Sequence, residues 1–60
     1  MERSCYKFDE GKSEWVKTKA ELKASLLYVK PIEIGGRVLW MYINPEDESL
    51  YAFAVPPENR

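Results

Sequence analysis

Six consecutive apolar residues, Val38-Leu39-Trp40-Met41-Tyr42-Ile43, run through the middle of a 60-residue chain. Successive side chains of a strand point to opposite faces, so this run places no water-seeking residue on either side. Val38, Trp40 and Tyr42 form one set, and Leu39, Met41 and Ile43 the other. A chain carrying such a strand must cover both of its faces, from its own residues or from another molecule.

The surrounding sequence frames this run as the middle of a three-stranded antiparallel meander over residues 32–55. Ile32-Glu33-Ile34 meets Arg37-Val38-Leu39 across Gly35-Gly36, a two-residue turn whose glycines reach positive φ without strain. Asn44-Pro45-Glu46-Asp47 has proline at the second position of a type I turn, and Asn44 can bond its own backbone. The last strand, Leu50 to Val55, stops at Pro56-Pro57.

The first half divides into shorter elements. Cys5-Tyr6-Lys7-Phe8 alternates as a strand does, with Tyr6 and Phe8 on one face. Asp9-Glu10-Gly11-Lys12 fits a hairpin turn with Gly11 in the left-handed position, followed by a return strand from Ser13 to Lys17 that carries Trp15 inward. Thr18-Lys19-Ala20-Glu21 has the spacing of a capping box. Leu22, Leu26 and Val29 then share one face at helical spacing, until Pro31 ends the segment. A rival reading starts the helix at Glu14 with Ser13 as its cap, which makes Glu14–Lys17 the first helical turn and removes the hairpin. The hairpin version is preferred, because its turn and the capping box agree. The expected fold class is therefore α+β: a single small domain over residues 1–60, ordered ββαβββ, with one helix packed on an antiparallel sheet.

In the last strand Ala52 and Ala54 accompany Leu50 on one face, which invites close approach by the helix. Tyr51, Phe53 and Val55 on the other face then need their own cover, since one helix of about three turns shields only one side of a sheet. The first hairpin with Tyr6, Phe8 and Trp15, a second copy of the chain, or another macromolecule could supply it.

Composition narrows the chemistry. There is no histidine, so the commonest acid–base group and metal ligand is missing, and Cys5, the single cysteine, has neither a disulfide partner nor an imidazole beside it. Cys5 reads as a small buried hydrophobe. Glu46-Asp47-Glu48 lacks the spacing of a calcium loop and reads as a solvated turn. Gly35-Gly36 is too short to cradle phosphate. No catalytic residue, cofactor or metal ligand is expected, and an enzyme is not. The N-terminus has no apolar segment of the secretory kind, and the longest apolar run is far short of a membrane span; the expectation is a soluble, cytoplasmic protein.

Net charge is −1, unevenly placed: residues 1–30 hold seven Lys/Arg against five Asp/Glu, for +2, and residues 31–60 hold two against five, for −3. Eight aromatics, with Arg3, Lys7, Lys12 and Lys17 on the first hairpin, permit a stacking platform for single-stranded nucleic acid. A chain this short needs those rings for its core, and its acidic second half repels phosphate, so that reading ranks second. The leading expectation is a non-enzymatic interaction protein, an adaptor, inhibitor or regulator, that self-associates as a homodimer or binds another protein. Trp40, Tyr42, Tyr51 and Phe53 are its expected contact residues, because their rings give large contact area at low entropic cost.

Overall fold

A computed structural model describes residues 2–57. It contains five strands: β1 (Glu2–Asp9), β2 (Glu14–Glu21), β3 (Leu27–Ile34), β4 (Arg37–Ile43) and β5 (Leu50–Phe53). They form one antiparallel sheet in the order β2-β1-β5-β4-β3. No helix occurs among the described residues, so the α+β class and the order ββαβββ are replaced by an all-β sheet.

The segment expected to be helical is the main correction. Glu14–Lys17 is strand, and β2 continues through the whole capping-box sequence, opposite β1 from Glu2↔Glu21 to Asp9↔Glu14. Thr18 faces Cys5 and Val16 faces Lys7 across that ladder. A lone helix of about a dozen residues is marginal in water, and a cap adds only about 1 kcal/mol. An eight-residue ladder pairs the backbone along its full length, and β-branched Val16 and Thr18 suit it. Beyond the connection, Leu27-Tyr28-Val29 opens β3 instead of closing a helix. Pro31 sits inside this strand because β3 is an edge, where a missing amide donor interrupts no second ladder. A bulge at Tyr28/Lys30 further interrupts that edge.

The hairpins follow local chemistry closely. Gly35 (φ 58°) and Gly36 (φ 79°) link Ile34 to Arg37, as the two-glycine turn requires. The Asn44 side-chain oxygen accepts a hydrogen bond from the Glu46 amide at 3.0 Å, and that of Asp47 accepts from the Ser49 amide at 3.0 Å. The meander over residues 32–55 is present, with β3 starting earlier and β5 ending at Phe53 rather than Val55. In the first hairpin the loop has four residues, and the left-handed residue is Ser13 (φ 55°), not Gly11. Asp9 shapes that loop by accepting the Gly11 amide at 3.0 Å and the Lys12 amide at 3.3 Å.

The first hairpin does not fold over the meander. It joins the same sheet edge-on: Cys5, Tyr6 and Lys7 of β1 pair with Phe53, Ala52 and Tyr51, placing the last strand in the middle. Residues 22–26 must then connect the two outer strands. Across a flat sheet these lie about 19 Å apart, and Glu21 and Leu27 also sit at opposite strand ends. Five residues reach about 20 Å. The link closes with a turn of its own, the Leu26 amide donating to the Lys23 carbonyl at 3.1 Å, so the sheet is twisted and curled rather than flat. The connection therefore crosses one face, where Leu22 and Leu26 pack on the core of Cys5, Tyr42 and Phe53, joined by Val55.

Candidate functional site

The cross-strand registers assign every side chain to one of two faces. The covered face holds Cys5, Tyr42 and Phe53, which are 2%, 6% and 0% exposed. All four expected contact residues lie here, Trp40 opposite Phe53 and Tyr42 opposite Tyr51. The structure brings them together, though as a core with its margin. Tyr42 and Phe53 are buried, while Trp40 and Tyr51 are half-buried against them. Tyr42 meets Phe53 edge-to-face at 5.7 Å between centroids, and Tyr51 stacks on Phe53 at 6.3 Å. Tyr28 adds an edge contact to Tyr42 at 5.6 Å, and the Lys7 ammonium lies 5.8 Å from the Tyr51 ring centre. Burial pushes the Tyr42 phenol above its ordinary pKa, helped by Tyr28, and pushes the Cys5 thiol up against a smaller opposing hydrogen bond at the Ala20 backbone.

The opposite face lies away from the connection 22–26 and Val55, which both pack on the covered side. One row runs through all five strands, Lys17–Tyr6–Ala52–Met41–Lys30, each residue directly opposite the next. To one side lies a second row segment, Leu50–Ile43–Leu27, with Phe8 and Trp15 facing each other at 5.3 Å on the neighbouring hairpin. To the other side, Leu39 sits opposite Ile32. Ala52 is 0% exposed because Tyr6 and Met41 flank it on both sides, and Leu39 is 3% exposed. Apart from Leu39, the larger residues of the three central strands keep partial exposure on this face: Tyr6, Phe8, Met41, Ile43 and Leu50.

The assignment of faces therefore reverses the expectation from the alanines. The side with Tyr51 and Phe53 receives the chain's own cover, and the side with Ala52 is left open. Ala52 accommodates its bulky neighbours in the sheet, not a helix above it. Tyr6, Phe8 and Trp15, one of the three possible covers for the meander, lie in the sheet itself and form part of its open face. The signal for it is the alternation Trp15-Val16-Lys17-Thr18-Lys19, which places a ring and two lysines on one side of an outer strand.

Charge on the open face is confined to its margins. Lys17 and Lys19 lie on β2, Lys30 lies on β3 at the other edge, and Arg37 sits at the end of β4 beside the glycine turn. Glu21, at the far end of β2, also registers with this face. The basic residues of the first hairpin are split, since Arg3 and Lys7 register with the covered side.

Clefts also border the sheet. One of about 590 Å³ separates the first hairpin loop from the 47–50 turn, with Lys7 and Lys17 facing Asp9, Glu10, Asp47 and Glu48. Another, about 710 Å³, borders the covered face between Arg3, Lys23, Tyr28, Tyr42 and Pro56. Among the described residues, no group of three or more His, Cys, Asp or Glu side chains is arranged to hold a metal ion. Among the same residues no helix is long and apolar enough to cross a membrane.

Fold and site together define an antiparallel single-sheet domain with one face closed by its own connection and the other partly exposed and lysine-edged. Compared with known protein families, curated proteins and solved structures, the chain matches none.

Proposed function

We propose that this protein is a non-enzymatic protein-interaction module whose docking surface is the open sheet face, centred on Met41, Leu50 and Tyr6. The observation that carries this reading is that Tyr6, Phe8, Met41, Ile43 and Leu50 on the three central strands keep partial exposure while, among the described residues, the connection 22–26 crosses the other side. Contiguous apolar surface with a polar rim is the composition of an interface core. The four aromatic residues Trp40, Tyr42, Tyr51 and Phe53 act behind this surface by holding the sheet together.

A photo-reactive residue in place of Met41 tests it. A discrete cross-linked product is expected from that position, absent when Leu50→Asp is added, and absent from the same group placed at Val38, which is 58% exposed on the covered side. Equal products from both positions, or none from position 41, refute the assignment.

A second reading has its own support: Tyr6, Phe8 and Trp15 share the open face with Lys17 and Lys19, as a platform for single-stranded nucleic acid would require. Titration of a labelled oligonucleotide across salt concentrations separates the two. Binding that weakens steeply with salt favours nucleic acid, and no binding at low salt removes it.

A further inference from the structure

We infer that the partner is an amphipathic helix of another protein, with its apolar stripe flanked by carboxylates on both sides, lying along β1, β5 and β4. This rests on the open face being the docking surface and adds what the partner must look like.

Dimensions and charge lead to the same partner. Three central strands span two spacings, about 10 Å, and a helix with its side chains is about 10–12 Å across. One helix laid along the strands covers the three central strands and leaves Trp15 on β2 and Leu27 on β3 at its borders. The row Lys17–Tyr6–Ala52–Met41–Lys30 then places an exposed ammonium on each side of the helix, one strand further out. Lys19 reinforces one flank and Arg37 the lower end of the other. Carboxylates at the two borders of the partner's apolar stripe meet these cations at the rim, where complementarity governs partner choice.

The same margins disfavour the other occupants. Two copies packed face to face by a two-fold axis set β2 against either β2 or β3 of the partner copy, and lysines meet lysines in both arrangements. For nucleic acid the middle of the face is poorly suited: Met41, Ile43 and Leu50 around Tyr6 are aliphatic or thioether groups, and Phe8 and Trp15 are engaged edge-to-face with each other. Bases need free ring faces.

The test uses the full chain with three labelled helical peptides of about 18 residues, five turns. All share one backbone design: a leucine stripe with glutamate borders, the same stripe with lysine borders, and the glutamate-bordered peptide with its leucines replaced by serine. Fluorescence anisotropy should show the glutamate-bordered peptide binding at least about tenfold more tightly than the lysine-bordered one, with the gap shrinking as salt rises from about 50 to 500 mM. The serine version should not bind. Combining Lys17→Glu with Lys30→Glu should invert the preference; both side chains are exposed, so circular dichroism should match the parent. Met41→Asp should remove binding of both leucine peptides.

Equal affinity for glutamate and lysine borders overturns the acidic-partner inference and leaves the docking face standing. Failure of every leucine peptide to bind, with the fold intact, overturns both. Sedimentation showing a dimer that Met41→Asp dissociates makes a second copy the occupant and overturns the inference. Tighter binding to an oligothymidylate or to phosphatidylglycerol vesicles than to the glutamate-bordered peptide overturns it also.

Discussion

Replacing Phe53 tests the central structural claim, that the aromatic face is the core and not the contact surface. Phe53 is 0% exposed on the middle strand, with Tyr42 edge-on at 5.7 Å and Tyr51 stacked at 6.3 Å. Truncating a buried phenylalanine to alanine costs about 3–5 kcal/mol. A domain of this size has about 3–9 kcal/mol in total, at 0.05–0.15 kcal/mol per residue. Phe53→Ala should therefore be largely unfolded, or close to it, at 25 °C. Phe53→Leu is the quantitative probe: it keeps most of the apolar volume and deletes the two ring pairs, for a loss of about 1–2 kcal/mol. With a urea dependence near 1 kcal/mol per M for so small a chain, its unfolding midpoint should fall by about 1–2 M. Met41→Ala on the open face removes a half-exposed side chain and should cost about 1 kcal/mol, roughly half of a fully buried truncation. Urea melts followed by far-ultraviolet circular dichroism give all three. If Phe53→Ala remains fully folded, or Phe53→Leu costs less than Met41→Ala, the covered face is not the core and the division into two faces is wrong.

Gly36→Ala should lower the thermal midpoint, since φ 79° costs an L-residue about 1–2 kcal/mol although the space around it is open; Gly35→Asn, at φ 58°, should be tolerated because Asn-Gly suits this turn. Stability should fall in alkali: the Cys5 thiol and Tyr42 phenol are both held above their ordinary values of 9.0 and 10.0, so the folded state keeps protons that the unfolded chain releases. The contribution is complete below about pH 9 and is lost as pH rises through the folded values; Cys5→Ala should flatten the first part of that decline in urea melts. Asp47 is held below its ordinary 3.8 by the Ser49 hydroxyl and amide, so its contribution is present above that value and disappears as pH falls through the lower folded value. Asp47→Asn should make acid unfolding correspondingly shallower, and an unchanged acid limb would show that the turn contributes nothing there.

Short-range chemistry alone determined much of this protein. The turns at Gly35-Gly36 and Asn44–Asp47, the meander around VLWMYI, the strand carrying Tyr6 and Phe8, and the pairing of Trp40 and Tyr42 against a second set are all legible in the residues. Each depends on backbone sterics, side-chain alternation or a turn's own hydrogen bonds. Thr18-Lys19-Ala20-Glu21 shows where that legibility stops. Its capping-box spacing is compatible with a helix, and only the eight-residue ladder with β1 makes it a strand. The choice between covered and open faces lay further out still, since it required β1 to pair with β5 and residues 22–26 to cross between the sheet's outer strands. Alternation assigns residues to two sides of a strand, but which side meets the chain's own connection depends on contacts distant in sequence. That long-range pairing placed Tyr42 and Phe53 inside and left Met41 and Leu50 partly exposed between two lysine-bearing edges.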